Sequence, residues 1–283
     1  MRWIKALFKV LISAIALYWV FRKIDFVEIK SAWKITSFIW MIPALTLYIL
    51  SKIVSSFRLN FYFKAIDLRL REIVNLRLYW LGMFYNLFLP GGIGGDGYKI
   101  WWLNKHLKLS TKIGFQAILL DRISGLAALL LIAGLFALNV PGFPVPDLWI
   151  LALTLAFILA YFLGLKLLFP RFQSCILPTN LLGIVVQLIQ VGAMACLLLS
   201  VHVNANFQAY FFLFLVSSAF AVLPLTLGGL GARELVFLYG AQYFGLDTQI
   251  AVWVSLWFYL ISLISSVAGL LYVFQPKRIG LEK

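Results

Sequence analysis

Apolar residues run along this chain in blocks, and the blocks have the length of membrane crossings. A helix needs about 20 mostly apolar residues to traverse the hydrocarbon layer of a bilayer. Six stretches meet that length: 4–21, 35–57, 113–138, 148–169, 181–201 and 249–274. Two more are apolar but interrupted, 78–103 at "LPGGIGGDG" and 207–245 at "LPLTLGGLGARE". The first block has basic residues ahead of it and aromatics, then Arg22 and Lys23, behind it. No small-residue cleavage site follows, so it reads as a retained helix rather than a signal peptide. The prediction is an all-α polytopic membrane protein, with residues 1–283 as a single integral membrane domain.

Composition agrees and narrows the class. Of 283 residues 63% are hydrophobic and only 12% charged, against about 25% charged in a soluble domain. The net charge of +14 reads as loop lysines and arginines that orient the chain and touch anionic lipid, not as a nucleic-acid surface. Cys175 and Cys196 match no metal spacing, and His106 and His202 have no partner at ligand spacing. No metal or cofactor is expected.

Where the basic residues fall predicts the topology. Arg58, Lys64, Arg69, Arg71 and Arg77 lie in 58–77, Lys99, Lys105, Lys108 and Lys112 in 99–112, and Lys277, Arg278 and Lys283 at the end. The segments 139–147 and 201–206 carry no Lys or Arg. The positive-inside rule makes the first group cytoplasmic and the last two external. Both chain termini are then cytoplasmic. Segment 78–103 must leave by the cytoplasmic face it entered, and 207–245 by the external one, so each reads as a re-entrant helical hairpin. Loop 22–34 resists the scheme, because an external loop should not hold Arg22, Lys23, Lys30 and Lys34.

The two breaks also match each other. At an offset of 134, Leu89, Pro90, Gly94, Gly95 and Gly97 fall opposite Leu223, Pro224, Gly228, Gly229 and Gly231, and Lys99 opposite Arg233. The flanking spans pair likewise and cross in opposite directions. An inverted repeat follows, with halves near 1–140 and 141–283 and about three spanning helices plus one hairpin in each.

Matched Gly/Pro breaks in inverted halves point to a midplane binding site. Irregular backbone survives in a bilayer only against protein or a watery cavity. A half-helix N-terminus there favours an anion, and glycine lets the backbone approach it. The alternative is a tight turn or close helix crossing that needs small residues. Ionisable residues cluster nearby: Asp96 and Lys99 after the first break, Arg233 and Glu234 after the second, Asp121 and Arg122 inside the span 113–138. At roughly 2.5–3.5 kcal/mol each at a helix centre, six such residues imply a shared polar interior, whether as a binding site or a structural ion network. Arg122 is expected to meet Glu234 or Asp96. Asn86, one turn before the first break, is placed to pair with freed carbonyls.

Weaker motifs fall away. Gly92, Gly94 and Gly97 spell a dinucleotide fingerprint, but no soluble βαβ unit surrounds them, and Tyr98 stands where a phosphate-binding loop needs lysine. Asp25 and Glu28 sit beside Lys23 and Lys30 in a solvated loop.

Three motifs, Asn86 to Asp96, Leu119 to Gly125 and Pro224 to Glu234, resemble the transmembrane region of the lysylphosphatidylglycerol synthase family, a flippase-like integral membrane domain. The resemblance implies translocation of a lipid, a phospholipid or one with a polyprenyl-phosphate-linked headgroup, in a cell membrane. Full synthases of that family carry a cytoplasmic aminoacyltransferase domain after the membrane part, and this sequence stops at Lys283, so that activity is not implied; a separate transferase is a candidate partner. Lys99 stands where the family pattern leads one to expect arginine, which keeps the charge but loses the bidentate fork. The expected substrate-binding set is Asn86, Pro90, Gly94, Gly95, Asp96, Lys99, Asp121, Arg122, Pro224, Gly228, Gly229, Gly231, Arg233 and Glu234. The alternatives are a membrane enzyme acting on lipid-linked substrates, with one of the acids as base, and an accessory subunit.

Overall fold

A computed structural model describes residues 18, 33–88, 94–222, 226 and 229–280. The predicted span 4–21 lies outside the described residues apart from residue 18, as do Pro90, Pro224 and Gly228. Among the described residues there are ten α-helices and no strand. They are α1 (Met41–Lys64), α2 (Glu72–Phe88), α3 (Gly94–Leu107), α4 (Thr111–Ala137), α5 (Asp147–Leu168), α6 (Ile176–Ser200), α7 (Phe207–Val222), α8 (Ala232–Tyr243), α9 (Thr248–Val267) and α10 (Leu270–Phe274). Five helical spans, Phe38–Lys64, Thr111–Ala137, Asp147–Leu168, Pro170–Ser200 and Thr248–Phe274, are long and apolar enough to cross a membrane. They coincide with five of the six uninterrupted apolar blocks, and the chain is an all-α polytopic membrane protein.

Local chemistry explains where the helices begin. Pro43 and Pro178 sit in the first turns of α1 and α6, where a missing N–H costs nothing. The Asp247 carboxylate accepts the N–H of Ile250 at 2.9 Å and caps α9. The interrupted blocks become two helix pairs, α2–α3 and α7–α8, and the members of each pair pack on one another. All four of these helices are shorter than the roughly 20 residues a crossing requires.

Buried apolar residues form two main cores. The first takes Ala44 and Tyr48 of α1, Leu129 to Ala133 of α4, Val191 to Leu198 of α6 and Ala251 to Ile261 of α9. The second takes Leu59 to Phe63 of α1, Ala117 to Leu120 of α4 and Cys175 just before α6. Along α1 the order is first core then second, whereas along α4 and α6 it is reversed, so α1 runs antiparallel to both. The buried residues of α2 and α3 belong to the second core (Val74, Leu78, Leu81, Trp102, Leu103). Those of α7 belong to the first (Tyr210, Leu213, Phe214), as do Phe237 and Ala241 of α8. Helix α5 stands apart, with only Ile150 and Leu165 buried and leucines exposed along its length, as suits a lipid-facing helix.

One boundary needs correction. The stretch 58–77 was expected to be a cytoplasmic loop, but α1 continues to Lys64 and α2 begins at Glu72. Arg58 is therefore an interior residue, only 5% exposed. An arginine is tolerated there because a carboxylate meets it, a partnership that hydropathy along the chain does not register.

Candidate functional site

Between the two cores the facing sides of α1, α4 and α6 turn polar. On α1, Tyr48, Lys52, Ser55 and Arg58 recur three or four residues apart, which puts them on one side of the helix. On α4 the corresponding level holds Asp121, Arg122 and Gly125, and on α6 it holds Gln187 and Gln190. These residues surround a cavity of about 330 Å³. Both interrupted segments reach the same cavity: Asn86, Asp96 and Lys99 from the first, Val222, Thr226 and Arg233 from the second. Residues 123 or more positions apart in the chain are thus brought to one chamber.

Five basic side chains line this cavity (Lys52, Arg58, Lys99, Arg122 and Arg233) against two carboxylates, Asp96 and Asp121. The pairing is specific. Arg58 Nε donates to Asp121 Oδ1 at 2.7 Å. Asp96 takes two cations: Lys99 Nζ at 3.1 Å on Oδ1, and Arg122 Nε on Oδ2. Lys99 also lies over the Tyr79 ring, 4.6 Å from its centroid. Of the two partners expected for Arg122, Asp96 is the one it meets. Arg233 donates from Nη1 to Ser218 Oγ at 3.2 Å and stacks 5.2 Å from the Phe258 centroid. Lys52 lies 4.5 Å from the centre of the Tyr48 ring. Neither Lys52 nor Arg233 has a carboxylate within ion-pairing distance among the described residues.

The glycines of the breaks have distinct duties. A methyl group on Gly95 would collide with the backbone carbonyl oxygen of Gly82, so α2 and α3 cross in direct backbone contact there. Gly82 in turn leaves room for the Lys99 side chain, which a methyl group would strike. Gly94 opens α3. At the second break Gly229 and Gly231 have φ of +90° and +86°, a region other residues adopt only with strain.

Two expected residues serve as helix caps. The Asn86 Oδ1 accepts the Gly95 N–H at 2.8 Å and so caps α3, while the carbonyls of 89–93 lie outside the described residues. Glu234 is fully buried and does not line the cavity. Its Oε2 accepts the Gly231 N–H at 2.7 Å and its Oε1 accepts from Ser255 Oγ at 2.9 Å. This is the reach-back of a helix N3 glutamate to its cap, which satisfies an N–H that the short helix α8 would otherwise leave open. The first-turn donors at both half-helix starts are therefore partly engaged by side chains.

Lys52 and Arg58 are the residues that reading the sequence missed as site components. The three- to four-residue spacing of Tyr48, Lys52, Ser55 and Arg58 in an otherwise apolar helix was the available sign. Three polar atoms on cavity-lining residues have no hydrogen-bond partner although buried: Arg58 Nη1, Gln187 Oε1 and Thr226 Oγ1. Buried polar atoms are normally satisfied, so these three are exceptions at the cavity wall among the described residues. Beside them Leu126, Leu129, Val186 and Val222 give the cavity an apolar flank. Chemically, the chamber can neutralise an anion, hydrogen-bond its oxygens and lie against hydrocarbon on one side.

A family model described as the lysylphosphatidylglycerol synthase TM region matches residues 6–178. The match spans the first break and the Asp121–Arg122 pair and ends before the second break. No curated protein matches closely enough to count as a relative. Since the family model extends over more than half of the sequence, the chain belongs to the lysylphosphatidylglycerol synthase transmembrane-region family.

Proposed function

We propose that this protein translocates a lipid with an anionic headgroup, a phospholipid or a polyprenyl-phosphate-linked lipid, between the leaflets of a cell membrane. One observation carries the reading: both interrupted segments line a single buried cavity in which basic side chains outnumber carboxylates and one flank is apolar. In a low-dielectric interior an excess of cations is costly until an anion joins it. The headgroup would sit among Lys99, Arg122 and Arg233 while its tails remain in lipid. Asp96 and Asp121 hold the cations in place rather than contacting phosphate.

The transport cycle follows from the same geometry. The halves near 1–140 and 141–283 form an inverted repeat, with α2–α3 entering from the cytoplasmic face and α7–α8 from the opposite one, and both termini cytoplasmic. The division of the buried residues of these two pairs between the two cores supports it. Rocking one half against the other would open the chamber to each leaflet in turn. A separate transferase would supply or consume the lipid. A membrane enzyme fits less well, because a catalytic base needs a free carboxylate. Asp96 and Asp121 are both ion-paired and Glu234 is a helix cap.

Reconstitution into liposomes with fluorescent phosphatidylglycerol, followed by chemical quenching of the outer leaflet, tests the proposal. The expected result is protein-dependent loss of the protected signal, slowed at least about tenfold in Arg122→Ala, which removes a charge-assisted contact. Protein-containing vesicles that scramble or flip no anionic lipid faster than empty ones would refute it.

A further inference from the structure

Two of the five basic side chains in the cavity differ from the rest. Arg58 is matched by Asp121, and Lys99 and Arg122 share Asp96. Lys52 and Arg233 have only aromatic rings and a serine hydroxyl as recorded partners. They belong to different halves of the chain, yet Lys52, Arg58 and Arg233 line the same cavity. Among the described residues neither Lys52 nor Arg233 has a carboxylate in ion-pair contact, and Glu234, the acid next to Arg233 in the chain, is engaged as the cap of α8.

A lipid phosphodiester brings one negative charge. It could offset one of the three surplus cations, leaving the others buried and unmatched. From this charge inventory we infer that the lipid carried in the chamber ends in a phosphoryl group of at least two charges, a phosphomonoester or diphosphate, seated on Lys52 and Arg233. The inference rests on the translocase reading and specifies its substrate class.

The walls fit such a group. Ser218, already donated to by Arg233, and Thr226, whose Oγ1 lacks a partner, line the second-break side, and Arg58 Nη1 is an unused donor on the α1 side. A terminal phosphoryl group has three oxygens able to accept several such hydrogen bonds at once. The apolar flank of Leu126, Leu129, Val186 and Val222 argues for a lipid rather than a free anion, since a soluble phosphate would have nothing to place against it.

Proteoliposomes of the full chain at pH 8, where a phosphomonoester is doubly ionised, provide the test. Fluorescent phosphatidic acid, phosphatidylglycerol and phosphatidylcholine would be compared by outer-leaflet quenching. Phosphatidic acid should move at least about tenfold faster than phosphatidylglycerol, with phosphatidylcholine slowest. Lys52→Gln and Arg233→Gln should each collapse the phosphatidic acid to phosphatidylglycerol ratio to within about twofold of unity. Equal wild-type rates for the two anionic lipids overturn the inference while leaving the translocase reading intact, and this comparison needs no variant to fold. A preference that survives in both folded variants overturns it too. If none of the three lipids moves, the translocase reading falls and this inference with it. Thermal stability in micelles separates the two sources of phosphate. Stabilisation by short-chain phosphatidic acid supports the lipid, whereas stabilisation by inorganic pyrophosphate alone overturns it.

Discussion

The two glycine breaks share a sequence signature but dispose of their charges in opposite ways. After the first break, Asp96 turns into the cavity and spends itself on Lys99 and Arg122, while a neutral side chain, Asn86, caps the new helix. After the second break the acid is the cap: Glu234 folds back on Gly231 and takes a hydrogen bond from Ser255. The lysine and arginine that align at an offset of 134, Lys99 and Arg233, thus find different surroundings. Lys99 is neutralised by an acid one turn away, whereas Arg233 enters the cavity with no carboxylate in ion-pair contact among the described residues. At the same offset of 134, Asp121 falls opposite Ser255: one pairs with an arginine, the other serves a buried glutamate. Matched backbone breaks therefore do not entail matched electrostatics. The first break binds its cation to an acid of the same helix, and the second exposes its arginine to whatever fills the chamber.

The sharpest way to break this contrast is to unbalance an ion pair of the first half. Asp121→Ala should lower folding stability by about 3–5 kcal/mol, because it strands the buried Arg58 charge. Adding Arg58→Met should recover most of that loss, measured as thermal unfolding in detergent micelles. A smaller effect is expected at the capped helix. Glu234→Ala should cost about 1–3 kcal/mol by leaving the Gly231 N–H and Ser255 hydroxyl without their acceptor. Lipid translocation per folded molecule should stay within about twofold of wild type, since Glu234 does not reach the cavity. A collapse of transport with unchanged stability would show that the acid has a ligand-facing role after all.

The smallest effects should differ in sign. Gly97 and Gly231 align at the same offset of 134. Gly97 lies inside α3 with open space where a methyl group would go, so Gly97→Ala should stabilise by about 0.5–1 kcal/mol through helix propensity. Gly231 holds φ at +86°, and Gly231→Ala should destabilise by about 1–2 kcal/mol. Equal shifts in the two melting temperatures would remove the claimed difference between the breaks.

Much of the fold was legible along the chain because membrane crossing is a local property. Apolar length alone located the five described spans, and Gly/Pro punctuation located both helix pairs. The misreading of Arg58 has the same origin. A charge after an apolar run looks like a loop when only its neighbours are counted. Its acceptor, Asp121, is 63 residues away, and no local window contains it. Lys52 was obscured differently: one lysine barely changes the hydropathy of its block, although its spacing from Tyr48 and Arg58 carried the information. Glu234 was assigned to the cavity because it adjoins Arg233. On a helix, however, adjacent residues face different ways, and the reach-back to the cap took it out of the chamber.

The amino-acid sequence by itself determined that this chain lives in a bilayer, where its spanning helices fall, and where backbone continuity fails. Each follows from hydrophobicity and backbone freedom summed over neighbouring residues. Only the tertiary structure decided which cation each acid neutralises and which cations are left over. Ion pairing falls off over a few ångströms in space, and the packing of α1 against α4 and α6 joins residues that the chain keeps far apart.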